Sequence, residues 1–178
     1  MLKIYVDADS ITQIHREIII RRAISEKAEL YFVADRSLKD VNDAISLDTK
    51  RLRDPYRETM DKDELRKIKS KIQMIIVDNG ANSADDEIVR IASSPALAIT
   101  HDIPLSQRLI EKSVTVIDDR GNVLDSNNIN ERLSIRDINR ELREMGLSSD
   151  KSKRIDSATM NKFAAAFDKS INDLKKLI

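Results

Sequence analysis

Short apolar runs alternate along the chain with charged stretches that carry helical periodicity. The runs Leu2–Val6, Leu30–Ala34, Met74–Val77, Leu97–Thr100 and Val114–Ile117 are nearly continuous in apolar and β-branched residues. Strands covered on both faces of a parallel sheet read this way, because neither face is left to water. Between them, Ser10–Lys27, Asp61–Lys71, Ser83–Ser93 and Pro104–Lys112 are predicted helices. Ser83 with Asp86 three residues later is a capping-box start, and Pro95 stops that segment. The alternation predicts an α/β domain of three layers, a central mostly parallel sheet flanked by helices.

Two regions depart from this rhythm. Residues 36–71 carry few large apolar side chains and many cations, among them Lys50, Arg51, Arg53, Arg57, Lys62, Arg66, Lys67, Lys69 and Lys71. Such a stretch is either a solvated excursion at the sheet's edge or a basic flap that guides a phosphate backbone. After residue 127 the pattern turns helical. Asn128–Met145 ends at Gly146, Leu147–Ile155 is a polar linker, and Asp156–Leu177 sets Met160, Phe163, Ala164, Phe167, Ile171 and Leu174 on one stripe. The expected organisation is a domain over 1–127 with a charged insertion at about 36–71, and a helical extension over 128–178. That extension packs on the domain or on a second copy, the latter giving a homodimer. Asp118–Asn122 reads as a tight turn, with Val123-Leu124 returning as a short strand.

Composition then narrows the chemistry. The 178 residues contain no cysteine and only His15 and His101, which removes thiolate nucleophiles and Cys- or His-rich metal sites. Glycines at 80, 121 and 146 cannot assemble a P-loop or a dinucleotide fingerprint. Lys+Arg and Asp+Glu balance at 31 each, so contact with a polyanion must come from a local patch or a metal. No apolar run reaches the roughly 20 residues of a membrane helix, and no signal peptide is evident, so a cytoplasmic protein without membrane contact is expected.

The aspartates fall in an informative place. Asp7 and Asp9, Asp35, Asp78, Asp102, and Asp118 with Asp119 each follow a predicted strand. In a parallel sheet these positions line the carboxyl edge, where α/β proteins keep their sites. Asp85 and Asp86, in the first turn of a helix, reach the same rim. Any single one of Asp9, Asp85, Asp86 or Asp102 is equally suited to capping a helix. Together they repel one another, and a divalent cation, Mg²⁺ or Mn²⁺, relieves that repulsion with hard oxygen ligands. His101 lies beside Asp102, within reach of a substrate there.

The residues carrying this pattern resemble the bacterial YaiI/YqxD family of largely uncharacterised proteins. The likeness runs through Val6-Asp7-Ala8-Asp9, Val77-Asp78, Ala84–Ile88, Thr100–Leu105, Asp119-Arg120-Gly121 and Lys162-Phe163. It implies a PIN-like nuclease domain in which acidic residues hold Mg²⁺ or Mn²⁺ for phosphodiester hydrolysis. Carried over residue by residue, Asp7, Asp9, Asp85, Asp86 and Asp102 match the metal-holding acids, with Thr100 beside Asp102. The family's usual Cys-Pro after the Asp-x-Asp opening is replaced by Ser10-Ile11-Thr12, so no thiol acts here. The 36–71 stretch is longer than the family's connection, and Lys151–Asp156 replaces a glycine- and proline-rich lead into the last helix.

The expected activity is therefore a metal-dependent nuclease with RNA favoured as partner. Asp7, Asp9, Asp86, Asp102 and Thr100 would act in catalysis, and Arg120, Ser10 and His101 in substrate contact. Two other readings stay open. A non-catalytic module would grip RNA or protein, although few aromatics are present for stacking on bases. A haloacid-dehalogenase-like phosphatase would use Asp7 as nucleophile, with Asp118-Asp119 as its late acidic pair.

Overall fold

The computed structural model describes residues 1–78, 80, 82–147 and 155–178. Its sheet has strands β1 (Lys3–Asp7), β2 (Glu29–Ala34), β3 (Ile72–Ile76), β4 (Leu97–Ile99), β5 (Thr115–Ile117) and β6 (Val123–Leu124). They lie in the order β3-β2-β1-β4-β5-β6. All pairings are parallel except β5 with β6. The α/β expectation is met, and each apolar run supplies a strand because alternate residues are buried on opposite faces.

On one face Ile4, Val6, Leu30, Phe32, Leu97, Ile99 and Ile117 share a core with helices α1 (Gln13–Ser25), α2 (Lys39–Arg53) and α7 (Ser157–Lys175). On the other, Tyr5, Val33, Ala98 and Val116 meet α4 (Ser83–Ile91) and α5 (Ile103–Glu111). Helix α6 (Ile129–Glu144) packs outside α5. The remaining helical pieces are a 3-10 turn at Asp54–Tyr56 and α3 (Lys62–Lys67).

The stripe on α7 is spent within the chain. Phe163, Phe167, Ile171 and Leu174 are buried against the sheet, with Met160 beside them. Phe163 also takes the edge of His15, the ring centroids 4.7 Å apart. His15 is buried between the Thr12 hydroxyl and the Asp119 carbonyl, each at 2.8 Å, a structural pin joining α1 to the β5–β6 turn.

Three local expectations need correction. Much of the charged stretch 36–71 is neither a flap nor a loose excursion. Residues 39–53 form α2, a crossover helix whose Val41, Ala44 and Ile45 reach the core at helical spacing. The helix from Asp61 stops at Lys67, because Ile68 is extended, and the chain enters β3 at Ile72. Ser83 is the first helical residue rather than the cap: Asn82 occupies that position in the left-handed region, and no side chain caps there. Of the polar linker over Leu147–Ile155, residues 148–154 lie outside the described residues, as does 151–154 of the lead into α7. Among the described residues no helix is long and apolar enough to cross a membrane.

Candidate functional site

Strand order reverses between β1 and β4, and a crevice lies at the carboxyl ends of these two paired strands, the usual place for ligands in an open α/β sheet. Asp7 ends β1 and Thr100 follows β4. The Thr100 hydroxyl donates to Asp7 Oδ2 at 2.8 Å and accepts the Asp102 N–H at 3.0 Å. Asp7 is buried, which raises its pKa. The Thr100 and Ser10 hydrogen bonds oppose that rise, and the charges of Asp9 and Asp102 add to it. Ser10 ties the two loops together, its hydroxyl bonding the Asp7 carbonyl at 3.0 Å and accepting the His101 N–H at 3.2 Å.

Asp102 caps a helix and also faces the crevice: its Oδ1 accepts the Leu105 N–H at 2.7 Å at the start of α5. Asp85, on the first turn of α4, lines it from the other side. Partial burial, then the charges of Asp102 and Asp7, push the Asp85 carboxyl up to about 6, with Arg108 opposing. Asp7, Asp85 and Asp102 therefore share one negative field.

Two expected acids are turned elsewhere. Asp9 borders the cleft, but its carboxylate accepts the Asp35 N–H at 3.0 Å and pairs with Arg36 at 3.3 Å. Asp86 pairs with Arg108 at 2.8 Å, is 66% exposed, and faces a neighbouring groove with Asp78 and Glu87.

The far wall of the cleft, whose volume is about 790 Å³, is basic. Arg132, Ile135, Arg136, Asn139 and Arg143 recur at three- and four-residue steps along α6 and line it together with Arg120. Of this wall only Arg120 was expected, although the spacing of the α6 residues is visible within the predicted helix 128–145. Asp119, already placed at the rim by the sequence, pairs with His101 in a way its pattern did not indicate: its Oδ1 lies 2.8 Å from His101 Nδ1. That bond raises the His101 pKa. For Asp119, burial pulls upward, but the hydrogen bond and charge of His101 prevail and hold the carboxyl below its ordinary value. Asp118 spends its oxygens on the turn, accepting the N–H groups of Arg120 and Asn122 at 2.9 and 2.7 Å and the Asn122 amide at 2.7 Å.

Among the described residues no three His, Asp or Glu side chains already converge as a closed metal-binding group. The fit to a metal lies in the chemistry of the donors: oxygen ligands only, and coupled negative charge at Asp7, Asp85 and Asp102 that a hard divalent cation would neutralise.

A UPF0178 protein of Myxococcus xanthus is 33% identical to this chain over 98% of it and 97% of the relative. A second, from Desulfotalea psychrophila, is 32% identical over 98% and 100%. A third, from Pseudomonas putida strain W619, is 27% identical over 98% and 99%. No solved structure matches the fold closely enough to register. A family model described as uncharacterized BCR, YaiI/YqxD family, matches residues 57–173, a span that holds Asp85, Asp102, the β5–β6 turn and all of α6. The chain belongs to the YaiI/YqxD family.

Proposed function

We propose that the protein is a metal-dependent phosphodiesterase of PIN-like type that cleaves nucleic acid, RNA before DNA. One observation carries the reading: an acidic floor at the β1/β4 switch point and an arginine wall on α6 face each other across a single cleft. A phosphodiester chain needs both. Its phosphates are drawn to arginine, and its hydrolysis needs charge neutralised at the reacting phosphate.

Asp7, Asp85 and Asp102 are the residues that would hold Mg²⁺ or Mn²⁺. Such an ion supplies an acidified water and charge stabilisation at the leaving oxygen. The chain's own contribution is positioning. Thr100 fixes the rotamer of Asp7 and the backbone of Asp102 through its two hydrogen bonds. Arg132, Arg136 and Arg143 bind phosphates flanking the scissile bond, with Arg120 at the turn beside them. Ser10 and His101 line the same opening and contact the substrate.

The test uses labelled RNA and DNA oligonucleotides with Mn²⁺, Mg²⁺ or EDTA. Cleavage is expected with either ion, absent in EDTA, and reduced about 10²-fold or more in Asp7→Asn and Asp102→Asn. Asparagine keeps the cap on α5, so Asp102→Asn removes charge without unmaking the helix start. Cleavage retained in both variants would overturn the assignment. RNA binding that persists in EDTA without any cleavage would instead favour a non-catalytic module.

A further inference from the structure

The cations of residues 50–71 do not border the cleft. Helix α2 leaves the carboxyl edge of β2 and runs back to the opposite edge, about 22 Å away for 15 residues. There a separate cavity of about 620 Å³ opens beneath the starts of β2 and β3. Ile24, Leu52, Ile68 and Ile72 give it an apolar lining. The Tyr56 ring, 46% exposed, lines it as well. Around it stand five cations, Lys27, Arg51, Lys67, Lys69 and Lys71. Among the described residues the lining holds one acid, Asp48, which is buried and accepts the Ser70 hydroxyl at 2.6 Å. Lys71 bonds the Lys27 carbonyl at 3.2 Å and Lys67 pairs with Glu64 at 2.7 Å, which steadies part of the rim.

In a chain of zero net charge this concentration of cations is local, and its chemistry narrows the ligand. With Lys67 held by Glu64, the four other cations still exceed what one carboxylate or one simple ester needs, so the partner carries several negative charges close together. The apolar lining and the aromatic ring call for a flat, weakly polar body attached to them. The volume lies in the range of small-molecule sites. We propose that this cavity binds a nucleoside di- or triphosphate, the base against Tyr56 and the phosphates among Arg51, Lys69 and Lys71. The site is distant from the acidic cleft and does not depend on any reaction there.

Calorimetric titration with ADP in EDTA tests the proposal, with pyrophosphate and dodecyl phosphate as comparison ligands. Saturable ADP binding is expected. It should weaken about tenfold or more in the double variant Arg51→Glu, Lys69→Glu, as phosphate contacts are lost. Tyr56→Ala should weaken ADP about tenfold and leave pyrophosphate unchanged, because only the base meets the ring. Arg132→Glu, in the other cleft, should leave ADP binding as in the wild type. All substituted positions are on the surface, and circular dichroism checks that the variants remain folded. No saturable binding of ADP to the wild type overturns the proposal. So does binding that Arg132→Glu removes and the rim variant retains, since the nucleotide would then occupy the acidic cleft. Dodecyl phosphate binding as tightly as ADP would make this an acyl-chain site and overturn it equally.

Discussion

Thr100 donates its hydroxyl hydrogen to Asp7 Oδ2 at 2.8 Å, joining the ends of two adjacent parallel strands at the point where the sheet's order reverses. Both residues are buried. Thr100→Val keeps the shape but leaves a buried carboxylate without that donor, and also removes the acceptor for the Asp102 N–H. The expected cost is about 1–3 kcal/mol. Thr100→Ser retains the hydroxyl and should recover most of it. Denaturant midpoints for the two variants check this, and a larger loss in Thr100→Ser than in Thr100→Val, which keeps the methyl group, would mean that the methyl group, not the hydrogen bond, matters.

Asp85 should make the protein less stable as pH rises. Its folded value of about 6 lies above the ordinary 3.8, so the folded state holds the proton more tightly than the unfolded chain does. Stability therefore falls between about pH 4 and 6 and stays lower above that window. The full shift corresponds to roughly 3 kcal/mol, and solvent around a half-exposed group reduces it to about 1. Asp85→Asn should be more stable than wild type at pH 7.5 by about that amount and equal to it at pH 3.5. Unfolding curves at the two pH values decide it; a gap of the same size at both would contradict the coupling.

His101 should titrate above its ordinary 6.5 because Asp119 accepts its Nδ1–H. The stability this adds is fully present below 6.5 and is lost as pH rises through the raised value. Following the ring proton resonances of His101 by NMR should show the raised pKa, and Asp119→Asn should bring it down. An unchanged value in that variant would mean the bond does not persist in solution.

Gly121 sits in the left-handed region at φ +75, and a Cβ there would lie 2.7 Å from the Lys162 carbonyl group and the Phe163 nitrogen of α7. Gly121→Ala should cost about 2–4 kcal/mol, combining backbone strain with overpacking. Gly146 has φ +70 but open space around it, so Gly146→Ala should lose only about 1 kcal/mol. Phe163→Ala, which empties the space beneath the same turn, should cost about 3–5 kcal/mol. Thermal unfolding of the three variants gives the order. If Gly121→Ala is no worse than Gly146→Ala, the close seat of α7 on the turn is not maintained.

The strands and the carboxyl-edge placement of Asp7, Thr100 and Asp102 were determined by local pattern alone. Continuous apolar runs demand cover on both faces, and the polar residue that ends each run falls at the sheet's rim. The turn at Asp118–Asn122 and the apolar stripe of α7 were equally local, set by Asx chemistry and helical spacing. Helix α2 was not legible, because only Val41, Ala44 and Ile45 touch the core and its other faces are charged. Which acids face one another was decided by tertiary structure. Asp86 and Asp85 are neighbours in sequence, yet the turn of α4 sends one to Arg108 and the other toward Asp102 and Asp7. The basic wall arose the same way: the α6 spacing set its arginines on one face, but only the packing of α6 on α5 turned that face toward the acids. Sequence periodicity fixes which residues share an element's face, whereas the object that face meets depends on how elements far apart in the chain pack.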